Sequence, residues 1–214
     1  LQQNSGSLGN VFSVDVNRVS QVDGPQPSDN FPGFSPENRA ASFNGTSSRI
    51  QLSHSPSLNG TEFTISAWVN PDKKSGFSPI FSSRNYSPYN GYILMIDEEE
   101  RWSFVLTETE SSQARVTGSL VEYGEWSLII GTYDGAVARL YVNGIEIASR
   151  VIKNFLPNPT QRQRIGYGSP DSGHYFSGKI DEVFYLDRAM TEKEAKELYA
   201  LAIGESNDGG KTYY

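Results

Sequence analysis

The clearest helix signal in this sequence comes only near its end, after a long series of short strand-like segments. Thr191 can begin a helix, because its hydroxyl and the carboxylate of Glu194 have the spacing of a capping box. Apolar residues then recur at helical spacing, at Ala195, Leu198, Tyr199 and Ala202. Helix-forming runs are nearly absent before Thr191. This distribution predicts an all-β fold that ends in one short helix.

Alternating apolar and polar residues mark the strands. The clearest strand spans 63–69, where every second residue is apolar: Phe63, Ile65, Ala67 and Val69. Asp134-Gly135 and Asn143-Gly144 favour the positive φ angles of tight hairpin turns. A chain of 214 residues commonly forms a single sandwich of such strands. We therefore predict two antiparallel sheets packed face to face.

Five segments, taken in order, resemble laminin-G-like, or concanavalin A-like, jelly-roll domains. They are AASFNG at 40–45, FTISAWV at 63–69, WSLII at 126–130, LYVNG at 140–144 and GKIDEV at 178–183. The resemblance implies a jelly-roll sandwich of two antiparallel sheets with a short C-terminal helix. We accordingly divide the chain into an N-terminal strand and variable loop of the same domain (1–39), a jelly-roll core (40–203) and a C-terminal tail (204–214).

Composition excludes several classes of function. The net charge of −7 and the absence of a basic patch disfavour nucleic-acid binding. The chain has no cysteine, which excludes disulfides, thiolate metal sites and thiol nucleophiles. No apolar run approaches the roughly 20 residues of a membrane span. The chain starts at Leu1 rather than Met, and we expect it to be an extracellular module of a larger secreted or cell-surface protein.

A calcium site is the first candidate for bound chemistry. Strand alternation places Asp181 on the same face as Val183 and Tyr185, where a carboxylate needs a cation or several hydrogen-bond donors. The family resemblance implies a Ca²⁺ ion there, held by side-chain and backbone oxygens of four residues: Asp181, Asn44, Gly45 and Ser47. Calcium takes six to eight oxygen ligands, many of them from loops. The alternative is that Asp181 only accepts backbone amides in a turn.

Two aromatic-rich loops are candidates for a glycan-binding surface. Aromatic rings can stack on sugar faces, while amide, carboxylate and guanidinium groups can bind hydroxyls. The first loop offers Arg84, Asn85, Tyr86 and Tyr89. The second offers Tyr167, Asp171, His174 and Tyr175. The alternative is that several of these tyrosines pack within the sandwich.

The motifs of catalysis are absent from the sequence. Concanavalin A-like glycosidases that resemble this fold use a Glu-x-Asp-x-Glu strand, and no such spacing occurs here. Asp181 and Glu182 are neighbours on a strand and therefore point to opposite faces. We predict a non-catalytic, lectin-like module that binds a glycan or polysaccharide. The alternatives are a protein-interaction or adhesion module of the laminin-G type and, less favoured, a glycosidase.

Overall fold

A computed structural model describes residues 14–169 and 173–205. Its strands, in chain order, are β1 (Val14–Asn17), β2 (Ser20–Asp23), β3 (Arg39–Asn44), β4 (Arg49–Leu52), β5 (Phe63–Pro71), β6 (Ser78–Ser82), β7 (Asn85–Tyr86), β8 (Tyr89–Asn90), β9 (Tyr92–Ile96), β10 (Arg101–Thr109), β11 (Ser112–Leu120), β12 (Ser127–Tyr133), β13 (Val137–Val142), β14 (Ile145–Val151), β15 (Gln163–Ile165) and β16 (Ser177–Leu186). The helix α1 spans Glu192–Ala202, and short 3₁₀ turns span Pro27–Asp29 and Pro56–Leu58.

The strands form two antiparallel sheets of seven strands each, as predicted. The first sheet has the order β1-β4-β15-β6-β9-β10-β11, and the second has the order β14-β13-β12-β5-β16-β3-β2. A separate two-stranded hairpin joins β7 to β8. Strands β1 and β2, which precede residue 40, are each paired within one of the large sheets. The fold is therefore a jelly-roll sandwich with one helix at its C-terminal end.

The main core lies between the two sheets. The predicted alternation in β5 is confirmed, because Phe63, Ile65, Ala67 and Val69 all belong to this core. They pack with residues from the first sheet such as Leu94, Phe104 and Leu106. The predicted turn at Asn143 and Gly144 is also confirmed, since both residues have positive φ angles of 52° and 77°.

The outer face of the second sheet is covered by α1 and by the segment 24–38. The ring of Trp68 stacks on Tyr199 of the helix, with ring centroids 5.9 Å apart. Phe31 and Phe34 meet the same indole edge to face. The predicted capping box is confirmed, because Thr191 Oγ1 accepts from the Glu194 amide and the Glu194 carboxylate accepts from the Thr191 amide.

A β-bulge in β16 reverses one predicted face assignment. Asp181 pairs with Trp68 of β5, but the next pair in the register joins Phe184 to Ser66, so β16 holds one extra residue. The bulge includes Glu182, whose φ of 45° lies in the left-handed region. Asp181 consequently points to the outer face with Trp68, whereas Val183 and Tyr185 face the main core. The prediction that these three residues share a face is wrong.

Within the described ranges, no helix has both the length and the apolar character needed to cross a membrane.

Candidate functional site

The two predicted ligand loops meet at Arg164 of β15. One guanidinium nitrogen, Nη1, donates to the carbonyl oxygen of Arg84 at 3.0 Å and to that of Gly168 at 3.4 Å. The other, Nη2, donates to Gln161 Oε1 at 3.1 Å. Arg164 is only 2% exposed, so these hydrogen bonds form away from water. The arginine thereby joins the loop that follows β6 to the hairpin that follows β15.

The first loop is a small β-hairpin. Its backbone pairs Asn85 with Asn90 and Tyr86 with Tyr89, and the Tyr89 amide donates to the Glu110 carbonyl at 3.1 Å. The Arg84 guanidinium lies 5.2 Å from the centre of the Tyr89 ring. Asn85 and Tyr89 are partly exposed, whereas Arg84 is buried. The side chain of Tyr86 lies outside the described part of the structure.

The second loop, which begins at residue 166 and ends at residue 176, closes as a hairpin at its base. Tyr167 and Tyr175 pair across its base, and their rings stack with centroids 4.8 Å apart. Tyr167 is only 5% exposed, so it packs within the hairpin, while Tyr175 remains half-buried. Burial raises the pKa of Tyr167. The predicted residue Asp171 lies outside the described residues.

His174 packs between the second loop and the face of the first sheet. Its ring lies 5.3 Å from that of Phe77, and the Arg115 guanidinium lies 5.7 Å from the same phenylalanine ring. Burial lowers the pKa of His174, and the positive charges of Lys74 and Arg84 lower it further. At neutral pH the imidazole is therefore uncharged, so one ring nitrogen can donate a hydrogen bond and the other can accept one.

The outer face of the first sheet continues this surface with buried polar groups. Pairing in β9, β10 and β11 places Ser103 and Thr107 on that face. Both residues are buried, and neither hydroxyl has a hydrogen-bond partner among the described residues. Buried hydroxyls are usually satisfied by protein, water or ligand.

We name the two loops the loop surface, represented by Arg84, Asn85, Tyr89, Tyr167, His174 and Tyr175.

The Asn44 end of the predicted calcium site is occupied by protein hydrogen bonds. Asn44 Oδ1 accepts from the backbone amides of Thr46, Ser47 and Ser48 at 2.9–3.0 Å. The carbonyl oxygen of Gly45 accepts from the ammonium of Lys74 at 2.7 Å. These two oxygens therefore already accept hydrogen bonds from donors of the chain itself.

The Asp181 end lies elsewhere on the second sheet. Asp181 accepts from Asn38 Nδ2 at 2.7 Å and from the Glu182 amide at 2.9 Å. Burial raises the pKa of Asp181, and these two hydrogen bonds act against that shift. Asn44 pairs with Ser177, which lies four residues before Asp181 in β16. At 3.3 Å per residue, Ser177 and Asp181 are about 13 Å apart along the strand.

The predicted set of four calcium ligands is therefore corrected. Asn44, Gly45 and Ser47 form one turn, and Asp181 is too far along β16 to share an ion with them. Among residues 14–169 and 173–205, no three histidine or acidic side chains are grouped as a metal site. The arrangement does not fit the implied calcium ion, and we derive no role for calcium from it.

Lys74 stands where the resemblance implies a cation. Besides the Gly45 carbonyl, its ammonium binds the carbonyl oxygen of Tyr175 at 2.6 Å. Burial lowers the pKa of Lys74. The lysine thus joins the turn after β3 to the hairpin of the loop surface through a positive charge. Neither Lys74 nor Arg164 was predicted from the sequence, because the contacts that join separate segments, from Arg164 to Arg84 and from Lys74 to Tyr175, span 80 and 101 positions of the chain.

The fold defines a class of protein, the jelly-roll sandwich domains. The chain belongs to the concanavalin A-like lectin/glucanases superfamily, whose laminin G family model matches residues 44–196. It is 24% identical over 177 residues to Pappalysin-1 of Homo sapiens, covering 75% of this chain and 11% of that protein. The match to Pappalysin-1 of Mus musculus has the same extent. The chain spans about a tenth of the length of these relatives.

Two solved structures with the same fold are described as binding domains. The binding domain of Paraclostridial Mosquitocidal Protein 1 matches with a TM-score of 0.69 and 18% identity, covering 89% of this chain and 48% of that one. The binding domain of botulinum neurotoxin serotype G matches with a TM-score of 0.67 and 17% identity, covering 90% and 47%. At these identities the likeness shows the fold.

Proposed function

We propose that the chain is a non-catalytic carbohydrate-binding module of a secreted or cell-surface protein. The observation that carries this proposal is the convergence of the two loops on Arg164, since separate sequence segments become one surface at one end of the first sheet. Membership of a lectin-containing superfamily supports the same ligand class. An extracellular location is supported by the laminin G-like family and by the similarity to Pappalysin-1.

The groups on this surface suit a sugar. Tyr89 and Tyr175 offer partly exposed rings against which a sugar face can pack. Arg84 covers part of the Tyr89 ring, so a ligand would use the remaining edge and face. The amide of Asn85 can both donate to and accept from hydroxyl groups. A mixture of this kind recognises rings that carry polar groups at their edges.

Glycoside hydrolysis is disfavoured because the two loops contain too few carboxylates. Glycoside hydrolysis generally uses two carboxyl groups that flank the scissile bond. The segments 84–90 and 167–176 together contain one acidic residue, Asp171. Binding without hydrolysis is therefore the function that these loops support best.

A protein-interaction module is the second candidate. Strand β14 lies at an edge of the second sheet and carries exposed apolar side chains, Ile145 at 62% and Val151 at 66%. An exposed edge strand can pair with a strand of a partner. This reading predicts that binding is lost when Ile145 and Val151 become lysines, which would leave the loop surface intact.

A glycan array followed by titration of the strongest binder tests the proposal. We expect Tyr89→Ala to weaken binding about tenfold, which corresponds to about 1.4 kcal/mol. Tyr89→Phe keeps the ring and should bind within about threefold of the wild type, a change of less than 1 kcal/mol. An array without binders, together with capture of a protein ligand through β14, would overturn the carbohydrate proposal in favour of the second candidate.

A further inference from the structure

A polar groove crosses the outer face of the second sheet, away from the loop surface. It has a volume of about 520 Å³ and lies between the segments 23–31 and 124–126. Its floor includes Asn70 of β5 and Lys179 of β16, which are neighbours across the two strands. The volume falls within the roughly 300–1,000 Å³ that small-molecule sites occupy.

The first wall of the groove is held by aromatic packing. Phe31 lies 5.0 Å and Phe34 lies 5.4 Å from the Trp68 ring, both nearly perpendicular to it. These two side chains anchor the polar residues that precede them, including the 3₁₀ turn Pro27–Asp29. The wall is consequently formed before any ligand arrives, which lowers the entropy cost of binding.

The second wall is held by hydrogen bonds to the sheet. Asn70 Nδ2 donates to the Gly124 carbonyl at 2.8 Å, and the Gly124 amide donates to the Pro71 carbonyl at 2.9 Å. Trp126 follows and is largely buried, with the Lys179 ammonium 6.0 Å from its ring centre. The backbone that carries Glu125 is therefore fixed on both sides of that residue.

The groove presents donors and acceptors together. The carboxylates of Asp29 and Glu125 make no ion pair or side-chain hydrogen bond with another described residue, whereas Asp23 pairs with Arg39. Asn30, held in the left-handed region with a φ of 69°, adds an amide. Lys179 supplies the positive charge on the floor. Opposite charges are thus distributed around one preformed space.

We propose that this groove is a second binding site and that its ligand is a short neutral saccharide. An anionic ligand would meet the carboxylates Asp29 and Glu125, and a strongly cationic one would meet Lys179. An apolar ligand would displace water from polar walls without replacing its hydrogen bonds. Vicinal hydroxyls can donate to the carboxylates and accept from the ammonium and amide groups without introducing a charge.

The site is independent of the loop surface. It lies on the other sheet and uses no residue of the two loops. Two sites on one module would raise the avidity for a polysaccharide whose repeating units reach both. Failure of the loop proposal would therefore leave the groove proposal standing, and the reverse also holds.

Isothermal titration with cellotriose, maltotriose and mannotriose, each neutral, tests the groove. We expect at least one trisaccharide to bind, and Glu125→Ala and Lys179→Ala each to weaken it about tenfold. Glu125 makes no hydrogen bond that holds the walls, so Glu125→Ala should keep the wild-type melting temperature. Lys179→Ala also removes the contact with the Trp126 ring, so its binding is compared at a temperature where both variants are fully folded. Glu98→Ala removes an exposed carboxylate from the β9–β10 turn and should leave binding unchanged.

Tyr89→Ala, in the loop surface, should also leave trisaccharide binding unchanged. The proposal is overturned if none of the three trisaccharides binds, or if binding survives both groove substitutions. It is overturned equally if 3′-sialyllactose, which carries a carboxylate, binds in the groove more tightly than the neutral probes.

Discussion

Arg164 Nη1 lies 3.0 Å from the carbonyl oxygen of Arg84, and this hydrogen bond connects residues 80 positions apart in the chain. The same nitrogen reaches the Gly168 carbonyl, so one buried guanidinium holds both sides of the loop surface. Its planar fork of donors can serve several acceptors at fixed angles, which a lysine ammonium on a flexible stem does less well. Arg164 is therefore a positioning residue, and its loss should separate the loops.

Replacement of Arg164 tests this connection. Arg164→Met should lower the free energy of unfolding by about 3 kcal/mol, because buried carbonyl oxygens lose their donors. Hydrogen exchange should quicken in both loops, and Arg164→Lys should restore only part of the protection. Arg162→Met, at an exposed position two residues earlier, is the matched control and should change neither quantity. Equal exchange in wild type and Arg164→Met would show that the loops are held by other contacts.

Lys74 supplies a second connection that can be tested in the same way. Lys74→Met removes the ammonium from the carbonyls of Gly45 and Tyr175 and should cost about 1.5–3 kcal/mol, the usual range for hydrogen bonds to a charged group. Because solvent screens the charge of this partly exposed ammonium, we expect a value near the lower end of that range. Lys73→Met, the control, removes an exposed ion pair with Glu100 and a cation–π contact with Tyr123 but no hydrogen bond to a backbone carbonyl. Chemical denaturation of both variants would contradict the assignment if they lost equal stability.

Calcium should have little effect on the wild-type protein. The Asn44 turn is filled by backbone amides and by Lys74, and Asp181 binds Asn38 instead. A cation that bound only the folded state at a hundredfold excess over its dissociation constant would stabilise it by about 2.7 kcal/mol. We expect no such increase in a thermal melt with calcium and no decrease with a chelator. A chelator-sensitive melting temperature would restore the calcium ion implied by the family resemblance.

The helix cap gives a separate test of the C-terminal closure. Thr191→Ala should cost about 1 kcal/mol, while Thr191→Ser keeps the hydroxyl and should cost little. Hydrogen bonds from Arg188 and Thr191 lower the pKa of Glu194 from 4.5 to about 2. Because this folded-state pKa is depressed, the contribution of the carboxylate is present above pH 4.5 and is lost as the pH falls towards 2. Helicity followed by circular dichroism should show this range, and glycan binding should not depend on the cap.

Local patterns in the sequence were sufficient for the strands and the helix. The alternation of Phe63 to Val69 and the spacing of Thr191 and Glu194 are each set by residues close together in the chain. The bulge at Glu182 could not be recognised in this way. The alternating pattern continues past the extra residue, but each later side chain points to the opposite face of the sheet from the one predicted. The error in the position of Asp181 has this cause.

The candidate sites were predictable only in part. The aromatic loops were visible as sequence segments, but their union depends on Arg164, whose hydrogen-bond acceptors lie on two different loops. Lys74 and Tyr175 are 101 positions apart. The groove depends on Phe31 and Phe34 reaching Trp68, a contact that no periodicity in the segment 24–38 indicates. Tertiary contacts of this kind carry no local signal.

The most direct test of the central claim is to map a bound glycan by NMR. The ligand is the strongest binder from the array, titrated into isotopically labelled protein. We expect the backbone amides of Asn85, Tyr89, His174 and Tyr175 to shift together along one binding curve, and Glu125 and Lys179 to remain unshifted unless the glycan also enters the groove. Shifts confined to β14, or absent from both loops at saturation, would contradict the proposal that Arg164 assembles a carbohydrate-binding surface.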